Sequence, residues 1–172
     1  MDRSARLEKL LPNGRGVWIP IDHGASDFPI EGLVDTESTI KALISAGVDV
    51  ILAQKGVVSH YSHLCQGTKT NMVVHLSVST RHAGPDCANK VLVGHPDEVI
   101  SRGGLGVSCQ VNIGSPNEAE MIERMGEISR QSHKLQLPMF GMIYARGEFL
   151  NIMEGDSTLG NAHAARLAFE LG

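Results

Sequence analysis

The most constraining feature of the sequence is an alternation between short apolar runs and helix-forming stretches, repeated about five times along the chain. A continuous apolar run bounded by polar or glycine residues is typical of a strand that is buried on both faces. Because parallel strands need a crossover between them, usually a helix, the alternation predicts a parallel sheet covered by helices. The runs predict strands over residues 16–22, 48–54, 72–78, 106–112 and 139–144.

The stretches between and around these runs carry the signals of helices. Asp35 and Ser115 are predicted N-caps, because their side chains can accept hydrogen bonds from the first free backbone N–H groups of a helix. Gly47 is the predicted stop signal of the helix that Asp35 begins. The predicted helices cover residues 4–11, 36–46, 96–102, 116–135 and 156–171, and a short extended piece covers 90–93.

Length and composition set limits on the domain and its partners. The 172 residues, 42% of them hydrophobic, predict one domain over residues 1–172. A net charge of −4 with scattered basic residues argues against nucleic acid or an anionic membrane as partner. No apolar run approaches the roughly 20 residues of a membrane helix, and the start lacks the pattern of a signal peptide. Three widely spaced cysteines suit a reducing compartment, so we expect a cytoplasmic protein.

Polar side chains follow the predicted strands at their carboxyl ends, where parallel α/β folds hold their active sites. They are Asp22, His23, Gln54, Lys55, the stretch 75–80, Asn112, Tyr144 and Arg146. In a closed barrel, Asp22 and Tyr144 would face each other across the mouth, where a carboxylate base and a phenol can pass a proton through a bound substrate. The alternative role for Asp22 is to cap the loop that follows it.

Two further groups of residues allow a chemical interpretation beside a structural one. A lysine such as Lys55 acts as an amine nucleophile only where burial lowers its pKa enough to leave the amine neutral. Otherwise it is a solvated loop residue or a contact for a substrate anion. His60, His63 and Cys65 offer metal ligands, but their spacing matches no zinc pattern, which favours an exposed loop. A metal-dependent lyase that uses His60, His63 and His75 stays open as an alternative.

Several strings of the sequence resemble the archaeal-type class I aldolases, a family of Schiff-base (β/α)8 barrels. The strings PIDHGAS (20–26) and PIEGL (29–33) resemble the family's first-strand signature. The others, in the family's order, are 55–58, 75–77, 111–115, 118–121, 142–148 and 163–166. Within the family, the chain is more similar to the 2-amino-3,7-dideoxy-D-threo-hept-6-ulosonate synthases of archaeal aromatic amino acid biosynthesis than to the fructose-1,6-bisphosphate aldolases.

The resemblance implies a Schiff-base aldolase or transaldolase that acts on a sugar phosphate and an aldehyde. It implies that Asp22 is the proton acceptor and Tyr144 the proton donor, that no metal or other cofactor takes part, and that the full-length protein is a homo-oligomer. The implied sugar-phosphate site consists of Asp22, His23, Gly24, Ala25, Ser26, Tyr144, Ala145 and Arg146. Ala145 departs from the family pattern, which commonly has proline there, so we expect looser placement of Tyr144 and Arg146.

The resemblance also implies a Schiff-base lysine on a sixth strand and phosphate-binding loops after strands seven and eight, and no position of this sequence matches them. A complete barrel needs about 250 residues. We therefore expect the first five β/α units of a (β/α)8 barrel, with two unpaired sheet edges. Lys55 would supply the nucleophile only by taking over the role of the sixth-strand lysine.

Three alternatives to the synthase remain at this point. The first is a class I fructose-1,6-bisphosphate aldolase, and the second is the metal-dependent lyase. The third is a non-catalytic barrel remnant that binds a partner through a sheet edge.

Overall fold

The central element of the fold is a sheet of five parallel strands. The computed structural model describes residues 1–150 and 157–172. Its strands are β1 (Trp18–Pro20), β2 (Val50–Gln54), β3 (Asn71–His75), β4 (Ser77–Val78), β5 (Val91–Leu92), β6 (Gly106–Ile113) and β7 (Met139–Ala145). The main sheet has the order β1-β2-β3-β6-β7, and all of its pairs are parallel. The prediction of five parallel strands is confirmed.

Helices connect these strands and pack against the sheet. They are α1 (Arg3–Leu10), α2 (Gly24–Asp27), α3 (Thr36–Ser45), α4 (Lys55–Tyr61), α5 (Glu118–Lys134) and α6 (Ser157–Leu171). Single 3-10 turns cover Pro12–Gly14, Ser62–Cys65, Gly84–Ala88 and Pro96–Glu98. Within residues 1–150 and 157–172, none of the helices has both the length and the apolar composition needed to cross a membrane.

Each face of the sheet carries its own apolar cluster, because side chains alternate between the faces along a strand. The larger cluster packs under the helices and includes Ile51, Val74, Val107, Cys109 and Ile128. The smaller cluster lies on the other side, called here the inner face, and consists of Leu10, Val50, Leu52 and Val73, with Trp18 and Phe140 packed against it. The rings of Trp18 and Phe140 meet edge-on with their centroids 4.3 Å apart. Since Leu10 belongs to α1, this helix covers the amino-terminal end of the inner face.

A short hairpin follows β3 and reaches over the carboxyl end of the sheet. Strand β4 pairs with β5 in the antiparallel direction, with Ser77 opposite Leu92. The loop between the two strands is fixed to the main sheet, because Nδ2 of Asn112 on β6 donates a hydrogen bond to the Ala88 carbonyl at 2.7 Å. The hairpin thereby brings the residues before β5 to the strand ends.

One predicted helix is wrong, and one helix of the structure was not predicted. The predicted helix over 96–102 is only a 3-10 turn, because Glu98 accepts a hydrogen bond from the His95 N–H at 2.9 Å and closes a single turn. Gly103, at a φ of 93°, then redirects the chain toward β6. Helix α4 was not predicted, since Gly56 followed by two β-branched residues has low helix propensity. Its stability comes from tertiary packing, with Val58 fully buried.

The predicted strand 72–78 is wrong in its second half: β3 ends at His75, and Ser77–Val78 form β4, which pairs with β5 in the separate antiparallel hairpin. The remaining element predictions agree with the structure except at their ends. Strand β1 covers three residues of the predicted 16–22. Pro20 has no N–H group to donate, and it lies on an edge strand, where that loss is tolerated. Helix α5 begins at Glu118, so Asn117 rather than Ser115 occupies the N-cap position. Asp156, the predicted start of the last helix, lies outside the described residues.

Candidate functional site

The inner face of the sheet changes from apolar to polar toward the carboxyl ends of the strands. In strand order, the alternating side chains are Val50, Leu52 and Gln54 on β2, Val73 and His75 on β3, and Phe140, Met142 and Tyr144 on β7. The apolar members belong to or border the smaller cluster, whereas the polar members lie beyond it. The sheet therefore offers an apolar base under a polar surface, which suits a site for a polar ligand.

A cavity of about 260 Å³ opens at this polar end of the inner face. Five of the eight predicted site residues line it, namely Asp22, His23, Ser26, Tyr144 and Arg146. Pro20, Lys90, Gln110 and Met142 complete its wall. The first and last strands of the sheet thus contribute to one cavity, with Asp22 just after β1 and Tyr144 near the end of β7.

The remaining three predicted site residues lie elsewhere. Gly24 and Ala25 line a neighbouring cavity of about 220 Å³, which shares Asp22 with the first one. Both residues belong to α2, which starts directly after His23. Ala145 follows Tyr144 on β7 and therefore points to the opposite face of the sheet.

Asp22 lies beside a buried histidine. Its Oδ2 atom is 3.7 Å from Nε2 of His75, whose side chain is only 2% exposed. Oγ of Ser108 lies 3.0 Å from the other ring nitrogen, and Oγ of Ser77 lies 3.2 Å from Nε2. Burial lowers the pKa of His75 to about 4, despite the opposing attraction of Asp22. At neutral pH the imidazole is uncharged, so it does not cancel the negative charge that Asp22 needs to act as a base.

Tyr144 is covered on one side by a cation. The guanidinium carbon of Arg146 lies 4.5 Å from the centre of the Tyr144 ring. Nε of Arg146 donates a hydrogen bond to Oδ1 of Asn112 at 3.1 Å, and the same oxygen accepts another from Nε2 of Gln110 at 2.8 Å. Arg146 is thus held by Asn112, the residue of β6 that lies opposite Tyr144 in the register of β6 and β7.

Lys90 enters the cavity from the hairpin. Nη1 of Arg124 holds its backbone by donating hydrogen bonds to the Lys90 carbonyl at 3.0 Å and to Oδ1 of Asn89 at 2.6 Å. Burial and the charge of Arg146 lower the pKa of Lys90, and the attraction of Asp22 opposes this change. The side chain is therefore a cation that is partly removed from water.

Sequence reasoning missed two polar residues of the cavity wall, Lys90 and Gln110. Gln110 precedes Asn112 by two positions on β6, so strand alternation could have placed both on the inner face. Lys90 carries no such signal, because only the pairing of β4 with β5 brings it to the end of the sheet.

The other candidates from the sequence lie outside this cavity. Lys55 is the first residue of α4, and its Nζ is 3.4 Å from Oε1 of Glu98. His60, His63 and Cys65 lie in α4 and in the turn that follows it. In the part of the chain that the structure describes, no three His, Cys, Asp or Glu side chains come close enough together to hold a metal ion.

Comparison with known proteins gives several relatives that carry the name of a synthase. The chain is 35% identical over 171 residues to the 2-amino-3,7-dideoxy-D-threo-hept-6-ulosonate synthase of Halobacterium salinarum, which covers 99% of this chain and 62% of that protein. It is 33% identical to the corresponding synthase 1 of Archaeoglobus fulgidus, over 100% of this chain and 63% of the relative. It is also 33% identical to the 2-amino-4,5-dihydroxy-6-oxo-7-(phosphonooxy)heptanoate synthase of Streptomyces griseus, over 99% of this chain and 61% of the relative. The chain thus spans less than two thirds of the length of these relatives.

Solved structures establish the type of fold, and a family model establishes the family. An archaeal fructose 1,6-bisphosphate aldolase superposes with a TM-score of 0.81 at 23% identity, over 99% of this chain and 68% of the other. The fructose-bisphosphate aldolase of Slackia heliotrinireducens gives a TM-score of 0.78 at 22% identity, over 99% of this chain and 57% of the other. The fold is therefore that of the first five β/α units of an aldolase (β/α)8 barrel. The model of the DeoC/LacD family aldolases matches residues 17–172. This chain belongs to the DeoC/LacD aldolase family.

Proposed function

We propose that the chain carries the acid–base part of an aldolase or transaldolase site that acts on sugar phosphates. Asp22 is the proton acceptor and Tyr144 the proton donor. The observation that carries the proposal is that both side chains line one cavity at the carboxyl end of the sheet. That is the end of a barrel at which catalytic residues lie.

The proposed chemistry makes or breaks a carbon–carbon bond next to a carbonyl group. In the bond-breaking direction, Asp22 takes the proton from the hydroxyl group of the carbon that becomes an aldehyde, and Tyr144 returns a proton to the carbon that is left with the electron pair. The reverse transfers join the two fragments. A Schiff base with a lysine on a sixth strand supplies the electron sink in the proposed site.

The proposed substrates are a ketose phosphate and a small aldehyde, as for a 2-amino-3,7-dideoxy-D-threo-hept-6-ulosonate synthase. Relatives that are 33–35% identical bear the names of heptulosonate and heptanoate synthases. The fructose-1,6-bisphosphate aldolases among the solved structures are 21–23% identical, which supports a common fold only. A class I fructose-1,6-bisphosphate aldolase is therefore the second candidate.

The test compares this chain with a fusion that adds the sixth to eighth β/α units of the Halobacterium salinarum synthase. Each protein is incubated with a ketose phosphate and borohydride, and any adduct is located by mass spectrometry. We expect an adduct on a lysine of the added part and none on the chain alone. In the fusion, Asp22→Asn and Tyr144→Phe each lower turnover by about 100-fold or more.

The chain offers a matched control in its only other tyrosine, because Tyr61 lies on α4 away from the cavity. Tyr61→Phe leaves turnover of the fusion unchanged. Full activity of the Asp22→Asn and Tyr144→Phe fusions would contradict the proposal. An adduct on Lys55 of the chain alone would identify Lys55 as the nucleophile. Loss of turnover with a chelator would favour a metal-dependent lyase.

Two wider properties belong to the same proposal. We assign the protein to the cytoplasm, supported by its three cysteines, Cys65, Cys87 and Cys109, all of which are free thiols. We also assign a homo-oligomeric state to the full-length protein. Support for it comes from the resemblance to the archaeal-type aldolases.

A further inference from the structure

We propose that Lys90 binds the anionic group of the substrate, a phosphate or a carboxylate, together with Arg146 in the cavity beside Asp22. The inference rests on the proposed function, because it names a further substrate contact of the same site. The anionic group would lie between a primary ammonium and a guanidinium, both of which form charge-assisted hydrogen bonds with phosphate and carboxylate oxygens.

The first argument is the fixed position of Lys90. It lines the same cavity as Asp22, Tyr144 and Arg146. Its backbone is held by Arg124 on α5 and by the adjoining pairing of β5 with β4, so it is not a residue of a free loop tip. Because the backbone at Lys90 is already ordered, binding of a ligand by its side chain does not have to order a loop as well.

The second argument is that the ammonium group of Lys90 has no hydrogen-bond or ion-pair partner within the described part of the protein. Within the described residues, three of the six lysines form ion pairs, namely Lys41 with Glu37, Lys55 with Glu98 and Lys69 with Asp49. Neither an ion pair nor a hydrogen bond satisfies the ammonium group of Lys90 among residues 1–150 and 157–172. A half-buried cation without a partner is costly, and a bound anion would remove that cost.

The third argument is the charge balance of the cavity. Lys90 and Arg146 contribute two positive charges and Asp22 one negative charge, while the neighbouring His75 is neutral because burial lowers its pKa to about 4. The net positive charge attracts an anionic ligand. When the anionic ligand is bound, it neutralises the positive charge that the Asp22 carboxylate leaves unbalanced. Asp22 therefore stays available as a base.

The class of ligand follows from the relatives. The heptanoate named in the Streptomyces griseus relative bears a phosphonooxy group on carbon 7 and a carboxylate at the other end. Either group has the charge and the oxygen atoms that two adjacent cations bind. The test therefore uses one probe for each source, fructose 6-phosphate for the phosphate and malonate for the carboxylate, with uncharged fructose as the neutral reference.

The experiment measures binding of the three probes to the 172-residue chain by calorimetric titration. Lys90→Met is expected to weaken binding of the fructose 6-phosphate or malonate probe by about 10- to 100-fold, whereas Lys90→Arg keeps the charge and stays within about threefold. Binding of uncharged fructose does not change. Lys41→Met, which removes an exposed lysine of α3, is the matched control and leaves all three affinities unchanged. Circular dichroism and the urea midpoint verify that each variant folds.

If Lys90→Met loses affinity for only one of the two anionic probes, the result supports the inference and identifies the bound group as phosphate or carboxylate. The inference is overturned if Lys90→Met binds both anions as tightly as the unchanged chain, or if the unchanged chain binds neither. A borohydride adduct on Lys90 also overturns it, because the residue would then be a nucleophile. Turnover plays no part in this assay, so a fusion that stays active as Asp22→Asn refutes the acid–base assignment and leaves the anion site standing.

Discussion

His75 connects the candidate site to the stability of the protein. Its pKa is about 4 in the folded state against an ordinary value of 6.5, and burial is the main cause. Between pH 6.5 and pH 4, His75 is protonated in the unfolded chain but stays neutral in the folded chain. The free energy of unfolding is therefore at its full value above about pH 6.5 and falls as the pH drops toward 4. The expected loss over this window is on the order of 3 kcal/mol.

Urea unfolding between pH 7.5 and pH 4.5 tests this expectation. His75→Gln should have a lower but flatter stability profile, because glutamine does not titrate. His82→Gln, which replaces an exposed histidine, serves as the control and keeps the slope of the unchanged protein. A slope that survives in His75→Gln would show that other groups dominate the acid response.

The three thiols should differ in reactivity as strongly as they differ in burial. Cys109 on β6 is 2% exposed, and burial raises its pKa to about 12, whereas Cys87 is exposed in the turn before β5. Because the thiolate is the reactive form, iodoacetamide at pH 8 should modify Cys87 first and leave Cys109 intact until the protein unfolds. Cys65 should react at an intermediate rate, since burial also raises its pKa. Peptide mapping over time measures the order in which the cysteines are modified. Equal rates at Cys87 and Cys109 would contradict the burial of Cys109.

At the scale of single elements, helix ends were predictable where one side chain decides them. Asp35 was predicted to begin α3, and its Oδ1 accepts a hydrogen bond from the Ser38 N–H at 3.0 Å. The same reasoning failed for Ser115, whose Oγ accepts a long bond of 3.3 Å from the Asn117 N–H while α5 starts later. At Asp35 the side chain caps the third N–H of the helix, whereas at Ser115 the backbone carbonyl, and not the hydroxyl, accepts the hydrogen bond from the Glu118 N–H at 3.1 Å.

The cap of α3 gives a prediction that is independent of the site. Asp35→Ala removes the acceptor for the Ser38 N–H and should lower the melting temperature by about 2–4 °C. Asp35→Asn keeps an acceptor oxygen and should restore most of the loss. Thermal unfolding followed by circular dichroism measures both variants. An alanine variant as stable as the asparagine variant would mean that packing of Ile40, and not the cap, holds the helix.

For the molecule as a whole, the sequence predicted the parallel sheet and the two residues at the centre of the proposed site. Asp22 and Tyr144 were predicted because they end apolar runs, and the carboxyl ends of parallel strands lie at the same end of the sheet. Strands β1 and β7 are the outermost strands, so it is the curling of the sheet, seen also in the contact of Trp18 with Phe140, that brings both residues to one cavity. Lys90 and α4 were missed for one physical reason. Their positions depend on contacts with residues distant in sequence, namely the pairing of β4 with β5 and the burial of Val58.

The unequal edges of the sheet lead to a prediction about association. Strands β1 and β7 are each paired on one side only among the described strands. Pro20 interrupts the hydrogen-bonding groups of the β1 edge, but β7 has neither proline nor charge along its seven residues. A long uncharged edge is a template for pairing with another chain. We therefore expect the 172-residue chain to self-associate through β7, at the border of the inner face.

Sedimentation velocity over about 1 µM to 1 mM measures this association. Trp18 is the only tryptophan and lies on the inner face against Phe140, so its emission should shift to the blue as a second copy covers that face. Met142→Lys places a charge on the inner side of β7 and should keep the chain monomeric with unshifted emission. If the unchanged chain stays monomeric throughout, its edge is already protected. If Met142→Lys associates equally well, the contact lies away from β7.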